Sequence, residues 1–335
     1  MEIIYDVVGI GNAVVDVLAK VGDPFLKERN LPKSVMTLVD APSAGKIYND
    51  IIPEREISGG SAANTVAAVA SLGGTPAFIG KIHNDQLGQT FKRDIGIAGV
   101  DFFTEPLNQG PSTGRSIVLV TPDTARSMFT YLGASQKLSI HDIDENIIKS
   151  SKFIFMEGYL WDGQSAQKAM VAACQLAHKH GKQIAFSLSD KSCVERHRPE
   201  FVRLIKKYVH ILFANEEEIT TLYQEPDLYK VLDIVKNECD VAAITRDEKG
   251  SVVVNKRTKI FVEAEPIENV IDSTGAGDAY AAGFLYGLSQ ERTLGTCATI
   301  GGIAAAEMIS HYGARPEVSL KGFARNQLKK YEKAI

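Results

Sequence analysis

Residues 7–16 read Val-Val-Gly-Ile-Gly-Asn-Ala-Val-Val-Asp: an apolar run, a glycine-spaced turn, then a second apolar run. A strand followed by Gly-x-Gly raises the dinucleotide-binding fingerprint, which needs a third glycine and a helix opening at once. Val14 stands where that glycine is required, and an alternating, strand-like segment follows. The fingerprint therefore fails on context. What remains is a buried strand joined directly to another strand, at the start of a chain whose later segments alternate differently.

Working outward, near-continuous apolar runs recur at residues 77–80, 153–156, 183–188, 211–214 and 241–245. Short strands apolar on both faces suit a parallel sheet covered on both sides. Helical patterns fall between and after them, at 62–72, 86–95, 166–180, 200–207, 216–223, 228–238, 277–288 and 293–309. Strand–helix alternation predicts right-handed crossovers and an α/β layered core. Two regions break the rhythm. Residues 14–21 alternate and lead into a long irregular stretch to about Ile57, while 116–121 and 127–132 flank the turn Pro122-Asp123-Thr124-Ala125. They read either as a small β lobe covering a site or as edge strands of the main sheet.

The chain has 335 residues with 37 Lys+Arg against 41 Asp+Glu, a net charge of −4. Length alone suggests about two domains. The charge balance offers no broad basic field for nucleic acid. The N-terminus lacks the basic and apolar regions of a signal peptide, and the longest mostly apolar stretch, 297–309, is too short to span a bilayer. Four scattered cysteines (Cys174, Cys193, Cys239, Cys297) read as buried free thiols in a reducing, cytoplasmic setting.

Four stretches carry candidate chemistry. Asp272-Ser273-Thr274-Gly275-Ala276-Gly277-Asp278 precedes an apolar helix. Small residues let backbone approach a ligand, and a helix N-terminus presents free N–H groups to a phosphate. Asp278 beside such an anion site is useful as a base taking a proton from an attacking hydroxyl; otherwise it only favours the helix dipole. Ser58-Gly59-Gly60-Ser61-Ala62-Ala63-Asn64 opens another helix, with Asn64 one turn in. It is a polyhydroxyl-binding turn or a plain N-cap with a glycine turn. Asp16 sits in an apolar strand, where a carboxylate needs partners such as sugar hydroxyls unless it faces solvent. Asn215-Glu216-Glu217-Glu218 follows a predicted parallel strand, at the end where α/β proteins bind ligands. Glu218 there can hold water on Mg²⁺, while Glu216 and Glu217 decorate a helix start.

Together these strings resemble the PfkB family of ribokinase-like carbohydrate kinases, over about Tyr5 to Pro316. Gly59-Gly60-Ser61-x-x-Asn64 is similar to the first family signature, Asp272 to Asp278 to the second, and Asn215-x-x-Glu218 to the family's Asn-x-x-Glu. Ser273 departs from the usual Thr or Val but keeps the size class. The resemblance implies a Rossmann-type α/β/α sandwich with a small β-sheet lid. One large domain would span 1–335, with lid segments at about 13–57 and 110–132. It also implies Asp278 as catalytic base and the N–H groups of Gly275, Ala276, Gly277 and Asp278 as anion hole. Glu218 and Asn215 would organise Mg²⁺. Thr245 and Gly250, with Gly277, would lie near the ATP phosphates. Asp272 and Thr274 match positions that flank a monovalent cation such as K⁺ in some members.

Within the family, Gly11-Asn12-x-x-x-Asp16 and Gly59-Gly60-Ser61 resemble adenosine kinases, and the Asp123 to Arg126 turn resembles a lid segment whose Arg reaches the phosphate. Asn12, Asp16, Gly59, Gly60 and Asn64 would hold ribose; the base would meet residues near Met36 and an aromatic, Phe129 or Tyr131. The expectation is ATP-dependent phosphorylation of a nucleoside 5′-hydroxyl, most simply adenosine, by a monomer or homodimer. A kinase for free ribose or fructose is the rival, and a non-catalytic nucleoside sensor the alternative outside catalysis.

Overall fold

In chain order the strands are β1 (Tyr5–Ile10), β2 (Val14–Lys20), β3 (Met36–Leu38), β4 (Arg55–Gly59), β5 (Pro76–Ile79), β6 (Asp101–Phe102), β7 (Gly114–Val120), β8 (Arg126–Tyr131), β9 (Ser151–Glu157), β10 (Gln183–Ser187), β11 (Ile211–Asn215), β12 (Val241–Thr245), β13 (Ser251–Val254) and β14 (Lys259–Val262). The computed structural model describes residues 2–123 and 125–333; Thr124, within the expected turn, lies outside them.

Nine strands form the main sheet in the order β14-β13-β12-β11-β10-β9-β1-β5-β6. It is parallel from β6 to β12, and β13 and β14 close it as an antiparallel hairpin. The inner strands are buried almost residue by residue because both faces are covered. Val66, Phe91, Phe284 and Ile303 pack helices Ser61–Leu72, Gln86–Ile97, Ala276–Ser289 and Leu294–Met308 on one side. Met170, Phe201, Leu222 and Leu232 pack helices Gln164–Lys179, Lys191–Tyr208, Glu216–Tyr223 and Leu228–Val235 on the other. From β1 the chain winds outward to β5 and β6, then returns to β9 and winds the other way. The gap between the C-terminal ends of β1 and β9 is thus a topological switch point, where open α/β sheets bind ligands.

The off-rhythm segments do not extend this sheet. They pair as a separate five-stranded sheet, β3-β8-β7-β2-β4. The stretch read as irregular contains two helices, Asp23–Glu28 and Ala41–Asn49, besides β3 and β4. Their start signals are in the sequence: Pro24 in the first turn of one, and Asp40 accepting the Ser43 N–H at 2.9 Å at the start of the other. Leu26 and Ile47 from these helices pack with Val15, Val17, Ile117 and Phe129 on the sheet's outer face.

Other boundaries moved for identifiable reasons. The helix expected from residue 200 begins at Lys191, capped by Asp190, whose carboxylate accepts the Cys193 N–H at 2.6 Å. Pro199 lies inside it, and a kink at His197 (φ −121°, ψ 15°) lets the helix run through the proline. The hairpin β13–β14 and the helix Leu320–Lys333 were not expected; the two strands are only four residues each, and the helix, though amphipathic, is mostly polar.

Helices Ala276–Ser289 and Leu294–Met308 meet backbone to backbone. A Cβ on Gly283 would lie 2.6 Å from the Ile300 carbonyl and 2.7 Å from the Gly301 Cα. Gly283→Ala should therefore push the helices apart and lower the unfolding free energy by about 1–3 kcal/mol, read by urea denaturation.

Candidate active site

The switch point is roofed by the small sheet, and a cleft of about 570 Å³ lies between them. Alternation decides which roof residues face it. Asp16 on β2 stands opposite Ile57 on β4 and Ser116 on β7, and Ser116 stands opposite Thr130 on β8. One pair along, Arg55, Leu18, Val118, Met128 and Met36 form a second row. Both rows line the cleft. The intervening residues point outward, so Phe129 is fully buried in the outer core and is not a cleft aromatic. Tyr131, of the same parity, also stays off the cleft wall, whereas Met36 lies on it.

Two helices aim their N-termini into the cleft floor. Asp278, in the first turn of Ala276–Ser289, accepts the Ser61 hydroxyl at 2.6 Å and the Asn64 amide at 3.1 Å, both from the first turn of Ser61–Leu72. Burial raises the Asp278 pKa, while those two bonds and the charge of Arg315 oppose the rise. The Asn64 Oδ1 is buried without a partner, an acceptor free for a ligand hydroxyl.

Gly275 caps the helix in the left-handed region (φ 79°). The Ala276 N–H turns back to the Ser273 carbonyl at 3.2 Å, which removes it from a strict four-donor anion hole. The first-turn N–H groups of Gly277 and Asp278 have no acceptor within the helix. A Cβ on Gly277 would meet nothing within 4 Å, so the cleft is open just there.

Asp16 lies on the roof facing Arg315, Arg126 and Asp278; burial pushes its pKa up to about 6. Gly59, expected to touch substrate, has another role: a Cβ there would collide with the Asp16 carboxylate. Gly60 (φ 101°) lines the cleft at the start of the Ser61 helix. Asn12 turns its amide to a residue the sequence reading missed. Glu157, at the end of β9 and fully buried, accepts the Asn12 N–H and amide, both at 2.8 Å, and the Ala62 N–H at 2.6 Å. It caps the Ser61 helix from across the sheet, and burial pushes its pKa to about 7.

On the far side, Asn215 and Glu218 form a reciprocal capping box: each side chain accepts the other's backbone N–H, and the Asn215 amide donates to Glu218 Oε1 at 2.8 Å. Glu218 lines the cleft, and burial, with the negative charges of Asp190, Glu217 and Asp278, raises its pKa to about 7. Thr245 also lines the cleft. Gly250 does not; it makes the turn before β13, where a Cβ would strike the Val262 carbonyl. Arg126 pairs with Asp272 and donates to Thr274 Oγ1 at 2.9 Å, so a cationic side chain sits where the resemblance put a monovalent cation. Arg126, like Thr274, borders the cleft. Nothing in the sequence marks Ser61 as a partner of Asp278, or Arg315 as a neighbouring cation.

A family model described as "pfkB family carbohydrate kinase" matches residues 54–320. The chain belongs to the PfkB family. It is a phosphotransferase with an alcohol acceptor, of ribokinase-like fold, and the family implies ATP and typically Mg²⁺. Among solved structures it is similar to an adenosine kinase from Sinorhizobium meliloti, at 44% identity over 97% of this chain and 99% of that one, TM-score 0.90. It is also similar to a "probable sugar kinase protein" from Rhizobium etli CFN 42, at 41% identity over 97% and 98%, TM-score 0.90. Among curated proteins, a 5-dehydro-2-deoxygluconokinase from Geobacillus kaustophilus (strain HTA426) is 26% identical over 76% of this chain and 79% of its own length.

Glu157 has an ordinary pKa of 4.5 and a folded one of about 7. The folded state then binds more protons between those values, so stability falls as pH rises through that window. Between pH 5.5 and 7.5 the unliganded wild type should lose about 2 kcal/mol that Glu157→Gln does not, read by denaturant unfolding at each pH. Equal pH slopes in the two proteins would contradict a buried, titrating Glu157.

Proposed function

We propose that the protein is an adenosine kinase, transferring the γ-phosphate of ATP to the 5′-hydroxyl of adenosine. The observation that carries the reading is the two-sided cleft. Asp16, Asn64 and Asp278 offer polar groups for a ribose, and the adjacent roof row is apolar at Leu18, Val118, Met128 and Met36, with Arg55 at its β4 end. A flat base beside the ribose would cover that row; a free sugar would leave it facing water. The 44% identity to the Sinorhizobium meliloti adenosine kinase supports the same reading. A sugar kinase is the second reading, favoured by the names of the Rhizobium etli and Geobacillus relatives.

In this mechanism Asp278 accepts the proton of the attacking hydroxyl as its oxygen bonds to the γ-phosphorus and the bond to the ADP leaving oxygen breaks. The free N–H groups of Gly277 and Asp278, at a helix N-terminus, stabilise charge on the transferred phosphoryl oxygens. Arg126 adds a cation from the roof, next to Thr274 at the mouth of that turn.

The cleft suits Mg²⁺ held by few protein groups. Among the described residues no cluster of three or more His, Cys, Asp or Glu could hold a metal alone, but Glu218 presents a buried carboxylate crowded by like charge. Glu218, steadied by Asn215, would hold the ion through its waters while the phosphates supply the remaining ligands. The ion supplies positive charge on the phosphates that this acidic floor lacks.

A panel of adenosine, other nucleosides, ribose, fructose and 5-dehydro-2-deoxygluconate, followed by coupled ADP release, tests the substrate. Adenosine should exceed the free sugars in kcat/KM by about 100-fold or more. Turnover on a free sugar or the sugar acid with none on adenosine would overturn the assignment.

A further inference from the structure

Arg315 lies outside the cleft wall, yet its guanidinium is the most heavily used cation around the floor. The chain reaches it after helix Leu294–Met308 by a fixed route. The Gly313 N–H donates to Asp272 at 2.8 Å, and Glu307 Oε1 accepts the Glu317 and Val318 N–H groups at 3.1 and 3.3 Å. From there Arg315 Nε and Nη2 donate to the Ser58 carbonyl at 3.1 and 2.8 Å, and Nη2 also to Ser58 Oγ at 2.9 Å. Nη1 donates to the Ala63 carbonyl at 2.7 Å. Ser58 and Ala63 bracket the Gly59-Gly60-Ser61 turn, so one planar fork spans the segment that makes room for Asp16 and supplies the Ser61 bond to Asp278.

The fork spends its donors on neutral oxygens. Among the described residues no carboxylate stands within ion-pair distance of Arg315, and its charge is felt through space by Asp16, Asp94 and Asp278. Asp94 is itself occupied by the Ser58 N–H and hydroxyl at 2.7 and 2.8 Å. That leaves Asp16 and Asp278 as the cleft groups facing the cation. Asp16 also faces Arg126. Asp278 is flanked by the Ser61 and Asn64 donors, and by Glu157, Glu218 and Tyr159 as acidic or ionisable neighbours.

We propose that Arg315 is a positioning residue for this reaction: its fork holds the Ser58-to-Ala63 turn in register, and its charge faces the substrate-side Asp16 and the base Asp278 together. The inference rests on Asp278 as base, but its charge arm needs no turnover. A lysine in its place keeps the charge and cannot bridge both carbonyls; a methionine removes both.

The test is carboxyl-detected NMR titration of the unliganded wild type, Arg315→Lys and Arg315→Met, with Asp16→Asn and Asp278→Asn spectra assigning the two signals. The Asp16 and Asp278 midpoints should rise by about one pH unit in Arg315→Met and stay near wild type in Arg315→Lys. In steady-state assays on the acceptor chosen by the panel, Arg315→Lys should raise the acceptor KM about tenfold with the acid limb of kcat unmoved. Unchanged midpoints in folded Arg315→Met would overturn the charge role. If that variant does not fold, an unchanged acceptor KM in Arg315→Lys would overturn the positioning role. Absence of turnover on every acceptor would sink the kinase reading while leaving the titration to judge Arg315.

Discussion

Two helix N-termini converge on one carboxylate. The Ser61 helix and the Ala276 helix both end at the cleft floor, and Asp278 belongs to one while its hydrogen bonds come from the other. Each N-terminus carries partial positive charge from its unpaired N–H groups, so an anion between them is stabilised even though burial works against it. The remaining cleft geometry follows from keeping these helices in place. Glu157 caps one from beneath, Arg315 ties its entry turn, and the glycine contact at Gly283 sets how closely the other packs.

The roof depends on a simpler rule. Strands expose alternate residues, and the register of β4, β2, β7 and β8 places Ile57, Asp16, Ser116 and Thr130 in one row and beside it a row that is apolar except for Arg55 at the β4 edge. The outer face is covered by the helices at Asp23 and Ala41, which fixes the parity. A slip of one residue would bury Asp16 in the outer core and put Phe129 over the floor. The cleft wall and the roof packing are therefore two faces of the same pairing.

Much of this was legible from the chain because the decisive groups are local. Asp278 sits beside its own glycine turn, and Asn215 beside Glu218, so short strings announced them. The layered core was legible because strands buried on both faces are continuous apolar runs. Glu157 and Arg315 were not, since each is one polar residue whose partners lie far along the chain, 95 residues away for the Ala62 bond and 252 for the Ala63 bond. Gly59 and Gly250 look like ligand contacts in the sequence because a glycine in a motif is the same letter whether it approaches a ligand or clears space for Asp16 or a carbonyl. Phe129 was read as a candidate base contact because composition names residue types and only register names faces. Arg126 was legible as a lid cation, but its pairing with Asp272 required the tertiary structure.

The central claim is that the charge on Asp278 does chemistry rather than hold the two helices together. Asp278→Asn separates these roles, because an amide can still accept the Ser61 hydroxyl and can donate to the unpartnered Asn64 Oδ1. The measurement is single-turnover phosphoryl transfer by this variant at saturating ATP and acceptor, beside its melting temperature. The account predicts a rate lower by about 10²–10⁴-fold with melting unchanged to within a few degrees. A rate close to wild type in the folded variant would contradict it.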